Sequence, residues 1–224
     1  MLSRVLEPEV MDTAEEALDY DTMDHSFVNG LFADQLVELL SVSTFRPKCN
    51  WRVLDVGTGT AQIPIEIVRR RADLEIVAID LSVEMLKLGR SNLERAGLAE
   101  MIHLKVADAK RLVDPDASYD AVISNSIIHH IPEPLQSLRE MVRVLRPGGV
   151  LFIRDLMRPS DLATLERLVE QHAAGTNPHQ RRLFAESLRA ALTVEEVASL
   201  LHQVGLPSTW VTATSDRHWT ICSE

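Results

Sequence analysis

The segment Val53-Leu-Asp-Val-Gly-Thr-Gly-Thr-Ala61 joins an apolar run to an Asp-x-Gly-x-Gly turn and then leads directly into a segment of helical period. Glycine at 57 and 59 lets the backbone turn tightly and lets a ligand come close to it, at the start of a helix whose first N–H groups are free. A dinucleotide fits poorly there. The place of a third glycine is held by Gln62, and Asp55 would set a negative charge beside a pyrophosphate. Asp80 closes the next apolar run with a carboxylate, an acceptor-only group that suits a ribose diol and repels a 2′-phosphate. After the fourth run, Ser124-Asn-Ser-Ile-Ile-His129-His130-Ile-Pro presents two imidazoles, whose ordinary pKa suits proton transfer near neutrality. Adjacent side chains on an irregular turn point apart, so one histidine is expected to face the ligand, and His129 is the one favoured.

These groups need a scaffold that gathers the ends of several strands. Short β-branched runs at Trp51–Val56, Glu75–Asp80, Met101–Val106, Tyr119–Ser124 and Val150–Arg154 alternate with helical periods at Ala61–Arg71, Ser82–Ala96 and Leu135–Leu145. That alternation predicts a parallel sheet whose first four strands end in polar or glycine residues along one crevice. Ser160–Ala174 and Gln180–Leu192 read as two helices inserted after the fifth strand, separated by Gly175-Thr-Asn-Pro178. Thr193–Val204 is a well-capped helix leading into Thr209–Ala213 and His218–Cys222, which read as a closing antiparallel hairpin. Near the start, Met11–Asp19 and Ser26–Leu40 have helical period, with Asn29-Gly30 as a weak point. The expected fold is α/β: a Rossmann-like, doubly wound, seven-stranded, mostly parallel sheet. Residues 1–48 would form an N-terminal helical lid, and 49–224 the main domain with a helical insertion at about 159–192.

Five blocks in this order and spacing resemble the class I S-adenosylmethionine-dependent methyltransferases. They are Val53-Leu-Asp-Val-Gly-Thr-Gly-Thr, Val77-Ala-Ile-Asp-Leu-Ser with Met85-Leu86, Val106-Ala-Asp-Ala, Tyr119-Asp-Ala-Val-Ile-Ser-Asn-Ser, and Val144-Leu-Arg-Pro-Gly-Gly-Val-Leu. The likeness extends from about Trp51 to Arg154, returns loosely at the last helix and hairpin, and is broadly toward relatives of the ubiquinone/menaquinone methyltransferases. It implies S-adenosylmethionine as cofactor and S-adenosylhomocysteine as product. Gly57 and Gly59 would lie under the methionyl part and Asp55 would steer its amino group. Asp80 would accept both ribose hydroxyls, and Leu81 and Met85 would flank the adenine. Asp108 would take the exocyclic amino protons, the Ala109 N–H would face a ring nitrogen, and Asn125 would sit beside the methionine moiety. On the transfer side, His129 or His130 would serve as a base where one is needed, and Tyr20 would reach the methionyl carboxylate.

Methyl transfer from a sulfonium is an in-line displacement, so positioning and exclusion of water matter more than a base. The acceptor class is narrowed by composition. The chain has 224 residues, 46% of them hydrophobic, and 23 basic against 33 acidic side chains give a net charge of −10. Nucleic acid and anionic surfaces are therefore poor partners. Asn125-Ser-Ile-Ile lacks the Asn/Asp-Pro-Pro-aromatic turn with which similar enzymes hold a base amino group or a glutamine amide, so those acceptors lose weight; a protein side chain stays open, and a small-molecule acceptor is favoured. Cys49 and Cys222 have no metal or disulfide spacing. No metal is expected at His129, His130 and Asp155 either, since adjacent histidines rarely chelate one ion together. No apolar signal core or membrane span is read, so the expected location is the cytoplasm. The attacked atom and the oligomeric state have no signal in the chain. A nucleoside-binding sensor without turnover and a nicotinamide oxidoreductase are the competing readings.

Overall fold

The computed structural model describes residues 2–8, 12–47 and 49–223. Two helices, α1 (Ala14–Thr22) and α2 (Ser26–Val42), precede β1 (Trp51–Val56), α3 (Gln62–Arg70), β2 (Leu74–Asp80), α4 (Val83–Ala96), β3 (Ile102–Val106) and β4 (Tyr119–Asn125). A 3-10 turn at Ile128–His130 then leads to α5 (Pro134–Val144), β5 (Leu145–Leu156), α6 (Leu162–Ala173), α7 (Pro178–Ala190), α8 (Val194–Gln203), β6 (Val211–Ala213) and β7 (His218–Cys222). The strands form one seven-stranded sheet in the order β3-β2-β1-β4-β5-β7-β6. The first five run parallel, and β7 pairs antiparallel with both β5 and β6. This is the doubly wound sheet with a closing hairpin that the alternation predicted. Its order reverses between β1 and β4, which opens a crevice at their carboxyl ends.

Apolar layers cover both faces of the sheet. Phe32, Leu36 and Leu40 of α2, with Ile65, Ile67 and Leu93, cover one face; Leu138, Met141, Val197 and Leu201 cover the other with Trp219 and Ile221. The inserted α6 and α7 close a smaller cluster of their own around Leu165, Leu168 and Leu188, against which Leu2 packs. Since α2 is built into the main core, a lid reading rests on residues 2–8 and α1.

Several boundaries differ from expectation for local reasons. Met11, expected to open the first helix, lies outside the described residues; Thr13 caps α1 in a reciprocal box with Glu16. Asn29-Gly30 does not interrupt α2. Asn29 is buried and donates to Gln62 Oε1 at 3.3 Å, and a Cβ on Gly30 would lie 3.3 Å from the Arg70 guanidinium, so the pair marks the close approach of α2 to α3. Pro147-Gly-Gly does not delay the fifth strand: β5 starts at Leu145, and the three residues are taken up where the register jumps from Tyr119↔Leu145 to Ala121↔Val150. α7 begins at Pro178 because Asn177 caps it and Gln180 returns the bond.

Candidate active site

The turn after β1 is held open by backbone geometry. Gly57 has φ +78°, and a Cβ there would fall 2.1 Å from Ile127 Cγ2. The N–H groups of Gly57 and Thr58 donate to the Ile79 carbonyl at 2.8 and 2.9 Å, which pins the turn to the end of β2. The Asp80 carboxylate then bridges two segments: one oxygen accepts the Gly59 N–H at 2.8 Å, the other the Ser82 N–H at 2.9 Å. The Leu81 N–H is a third backbone donor to this carboxylate, whose two oxygens together offer about four lone-pair positions. Burial pushes the Asp80 acid upward, against the pull of its backbone donors.

A cleft at this point is lined by Tyr20, Gly57, Gly59, Asp80, Leu81, Met85, Asp108, Ala109, Asn125 and His130, so most of the residues singled out from sequence converge there. Ser82, Lys110, Ile127 and Ile131 join them without having been anticipated. Asp108 is partly engaged: its carboxylate accepts the Lys110 N–H at 2.9 Å and lies 3.1 Å from the Lys110 ammonium. Asn125 donates to Ser126 Oγ at 3.2 Å. Asp55 lies behind the turn, in a small adjoining cavity shared with Tyr20, Gly57 and Asn125. Its Oδ2 is buried without a hydrogen-bond partner, and burial, reinforced by the charge of Asp80, pushes its pKa up to about 7.

Tyr20 reaches the cleft from α1, its ring edge 3.5 Å from where a Cβ on Gly59 would stand and its face tilted against His25. Burial and the charges of Asp80, Asp55 and Asp21 push its phenol up to about 12, so it is a neutral hydroxyl and no base at ordinary pH. α1 is fastened by groups that sequence reasoning missed. Asp21 accepts from Gln62 at 3.0 Å and from Asn92 at 2.9 Å, while Asn92 also donates to the Thr60 carbonyl. Gln62 thus stands in the third-glycine position because it ties the turn to α1.

The two histidines are placed opposite to expectation. His130 borders the cleft, whereas His129 turns inward, 4% exposed, with Nδ1 2.5 Å from Asp155 Oδ1. The cause is Asp155, fully buried on β5. It collects the N–H groups of Ile128 and Leu156 as well as the His129 ring and so draws His129 into the interior. Burial works to lower the His129 pKa, but Asp155 and Glu7 hold it above the ordinary value. Burial and the neighbouring His129 push His130 down to about 3.

Residues 54–153 match the methyltransferase domain family. The ubiquinone/menaquinone biosynthesis C-methyltransferase UbiE of Geotalea daltonii is 32% identical over 149 residues, which are 65% of this chain and 63% of that protein. The demethylmenaquinone methyltransferase of Deinococcus radiodurans is 40% identical over 124 residues, 54% of this chain and 50% of that one. The chain thus spans between half and two thirds of the length of these two relatives. In fold it is similar to a SAM dependent methyltransferase from Aquifex aeolicus, with TM-score 0.65 at 17% identity over 94% of this chain and 97% of that one. It is also similar to the plantazolicin methyltransferase BpumL, solved with SAH, with TM-score 0.69 at 20% identity over 89% and 73% of the two chains. No helix among the described residues is long and apolar enough to cross a membrane. Over residues 54–153 the chain matches the methyltransferase domain, and its sheet is folded as in the solved S-adenosylmethionine-dependent methyltransferase of Aquifex aeolicus to which it is similar.

Proposed function

We propose that the protein binds S-adenosylmethionine across the β1–β4 crevice and transfers its methyl group to a small-molecule acceptor. The observation that carries this reading is a cradle no side chain can fill, Gly57 against Ile127, set between a buried carboxylate with a free oxygen and a carboxylate that lines the cleft. Bound there, the cofactor supplies a methyl group on a positively charged sulfur. Asp55 is assigned to its ammonium and Asp80 to the ribose hydroxyls. Leu81 and Met85 are assigned to the faces of the adenine, with Asp108 and the Ala109 N–H at its edge. Asn125 lies beside the methionyl part, and Tyr20 donates its hydroxyl to the carboxylate of the same moiety.

The acceptor enters between Tyr20 and the His130–Ile131 wall, where α1 and residues 2–8 shield the transfer from water. His130 offers a neutral ring at that wall, and His129 acts from behind as a positioning residue. The names of the curated relatives make reduced quinone rings the first acceptors to test. Incubation with labelled S-adenosylmethionine and a panel of quinols, phenols and amines should yield one methylated product, and Asp80→Ala should abolish it by weakening calorimetric S-adenosylhomocysteine binding. Unchanged binding in that variant would remove the assignment.

A further inference from the structure

Residues 2–8 cross the surface without regular structure and are anchored at defined points. Arg4 donates to the carbonyls of Ala190, Ile131 and Pro132 at 2.7, 2.9 and 3.0 Å, and the Val5 N–H donates to Arg189 at 3.1 Å. This anchoring carries Glu7 over the histidine pair. Its Oε2 accepts from Ser187 Oγ at 3.1 Å, while Oε1 lies 3.4 Å from His129 Nε2 and 3.2 Å from His130 Nδ1. All three donor atoms lie within 4.8 Å of one another. Glu7 is 9% exposed at its side chain, yet neither its Oε1 nor His130 Nδ1 has a hydrogen-bond partner.

Against the expectation from sequence, where adjacent histidines argued against a shared ion, the two rings lie side by side with centroids 4.2 Å apart and both face the Glu7 carboxylate. We propose that Glu7, His129 and His130 form a binding site for one divalent transition-metal ion, best fitted by Zn2+, with Asp155 orienting His129 from behind. Zinc bonds of about 2.0–2.1 Å in tetrahedral array put neighbouring ligand atoms roughly 3.3 Å apart. Two of the three observed separations, 3.4 and 3.2 Å, bracket that edge, while the third, between the two histidine nitrogens, lies within 4.8 Å and closes to the same edge on binding. Two imidazole nitrogens and one carboxylate oxygen suit zinc and its transition-metal neighbours better than magnesium or calcium, which prefer oxygen. The carboxylate behind a ligating histidine is the usual partner of such a site: Asp155 Oδ1, 2.5 Å from Nδ1, keeps the proton on that nitrogen and leaves Nε2 with its lone pair toward Glu7.

The competing arrangement is an imidazolium of His129 held between Asp155 and Glu7. It satisfies His129 and leaves His130 Nδ1 3.2 Å from the carboxylate, with the Pro8 backbone as a further hydrogen-bonding neighbour of the ring, whereas a metal ion engages all three groups. The ion would fasten the N-terminal segment to the wall of the cleft that His130 and Ile131 form, beside the acceptor and apart from the aspartates that grip the cofactor.

The full chain without a polyhistidine tag, dialysed against a chelator, is to be titrated with Zn2+ against a chromophoric competitor and, separately, with Co2+ under absorption. One Zn2+ should bind per chain at submicromolar concentration, and Co2+ should show the intense visible bands of a tetrahedral site. Glu7→Gln and His130→Asn should each lose that site, and Asp155→Asn should weaken it by about 10- to 100-fold. Glu7→Gln keeps the shape of the side chain; with it, the rise in Tm that Zn2+ gives the parent should disappear while the circular dichroism stays that of the parent. Binding weaker than that of free imidazole, or equal binding in the parent and Glu7→Gln, would overturn the site and leave the imidazolium arrangement.

Discussion

Replacing Asp55 by asparagine is expected to stabilise the ligand-free protein at pH 8 while impairing its hold on the cofactor. In the unfolded chain this carboxyl titrates near 3.8, and in the folded one near 7, because it is buried and Asp80 stands close by. Between those values the folded state keeps a proton that the unfolded state has released. The stability that Asp55 allows is therefore complete below pH 4, declines as pH rises toward 7 and is flat beyond it. At ~1.4 kcal/mol per pH unit, the gap between 3.8 and about 7 sets an upper figure of roughly 4 kcal/mol for the cost of ionised Asp55 in the empty site. The asparagine amide has Thr58 and Thr60 in the same cavity as hydrogen-bonding neighbours, so it does not inherit that cost. Urea unfolding followed by tryptophan fluorescence at pH 5, 6, 7 and 8 measures the difference between parent and variant. It should widen in favour of Asp55→Asn with each step and level off above 7, while S-adenosylhomocysteine binding by the variant falls. The parent should also release a proton on binding at pH 6, which shows in calorimetry as an enthalpy that depends on the buffer. Stability curves that run parallel across the whole range would refute the argument.

Asp80→Asn keeps the shape but replaces one acceptor with a donor; loss of charge-assisted bonds worth about 1.5–3 kcal/mol predicts cofactor binding about 10- to 100-fold weaker by calorimetry. Gly57→Ala combines a positive φ with a Cβ 2.1 Å from Ile127 Cγ2, so it should both cost about 1–3 kcal/mol in urea unfolding and abolish cofactor binding. In Tyr20→Phe, cofactor affinity should fall several-fold while the pH–rate profile between 6 and 10 keeps its shape, because the phenol titrates only near 12.

That the strand-end residues meet at one cleft was legible because it follows from local signals. A strand that ends in Asp-x-Gly-x-Gly fixes its own turn, and Asp80, Asp108 and Asn125 fall at the ends of successive parallel strands, so topology alone assembles them. Where local and tertiary signals conflicted, the tertiary ones prevailed. Asn29-Gly30 looks like a helix break until Arg70 and Gln62 are placed against it, and Pro147-Gly-Gly looks like a stop until β4 pairs with the residues on either side. That one histidine of the pair lines the cleft while the other packs was legible; which of the two does so was not. It is decided by Asp155, distant in sequence from the pair, and spacing alone cannot say which ring a buried carboxylate will capture.

The same distinction separates what the two halves of the cleft can vary. Cofactor contacts belong to strand ends that the sheet holds rigidly, so a change there also disturbs the glycine turn, as the Asp80 bridge from Gly59 to Ser82 shows. The acceptor side is assembled from segments far apart in the chain: residues 2–8, α1, the turn at Ile128–His130 and, through Arg4 and Ser187, the inserted α7. None of these supplies a strand to the sheet, and they meet through side chains and single backbone bonds, so each can be altered without dismantling the core. On the proposed function, the hold on the cofactor therefore resides in the sheet, and the choice of acceptor falls to the fastening of the N-terminal segment over His130. An exchange of residues 2–8 and α7 should for that reason change which acceptor is methylated while leaving S-adenosylhomocysteine affinity intact; a parallel loss of cofactor binding would show that the two halves are not separable.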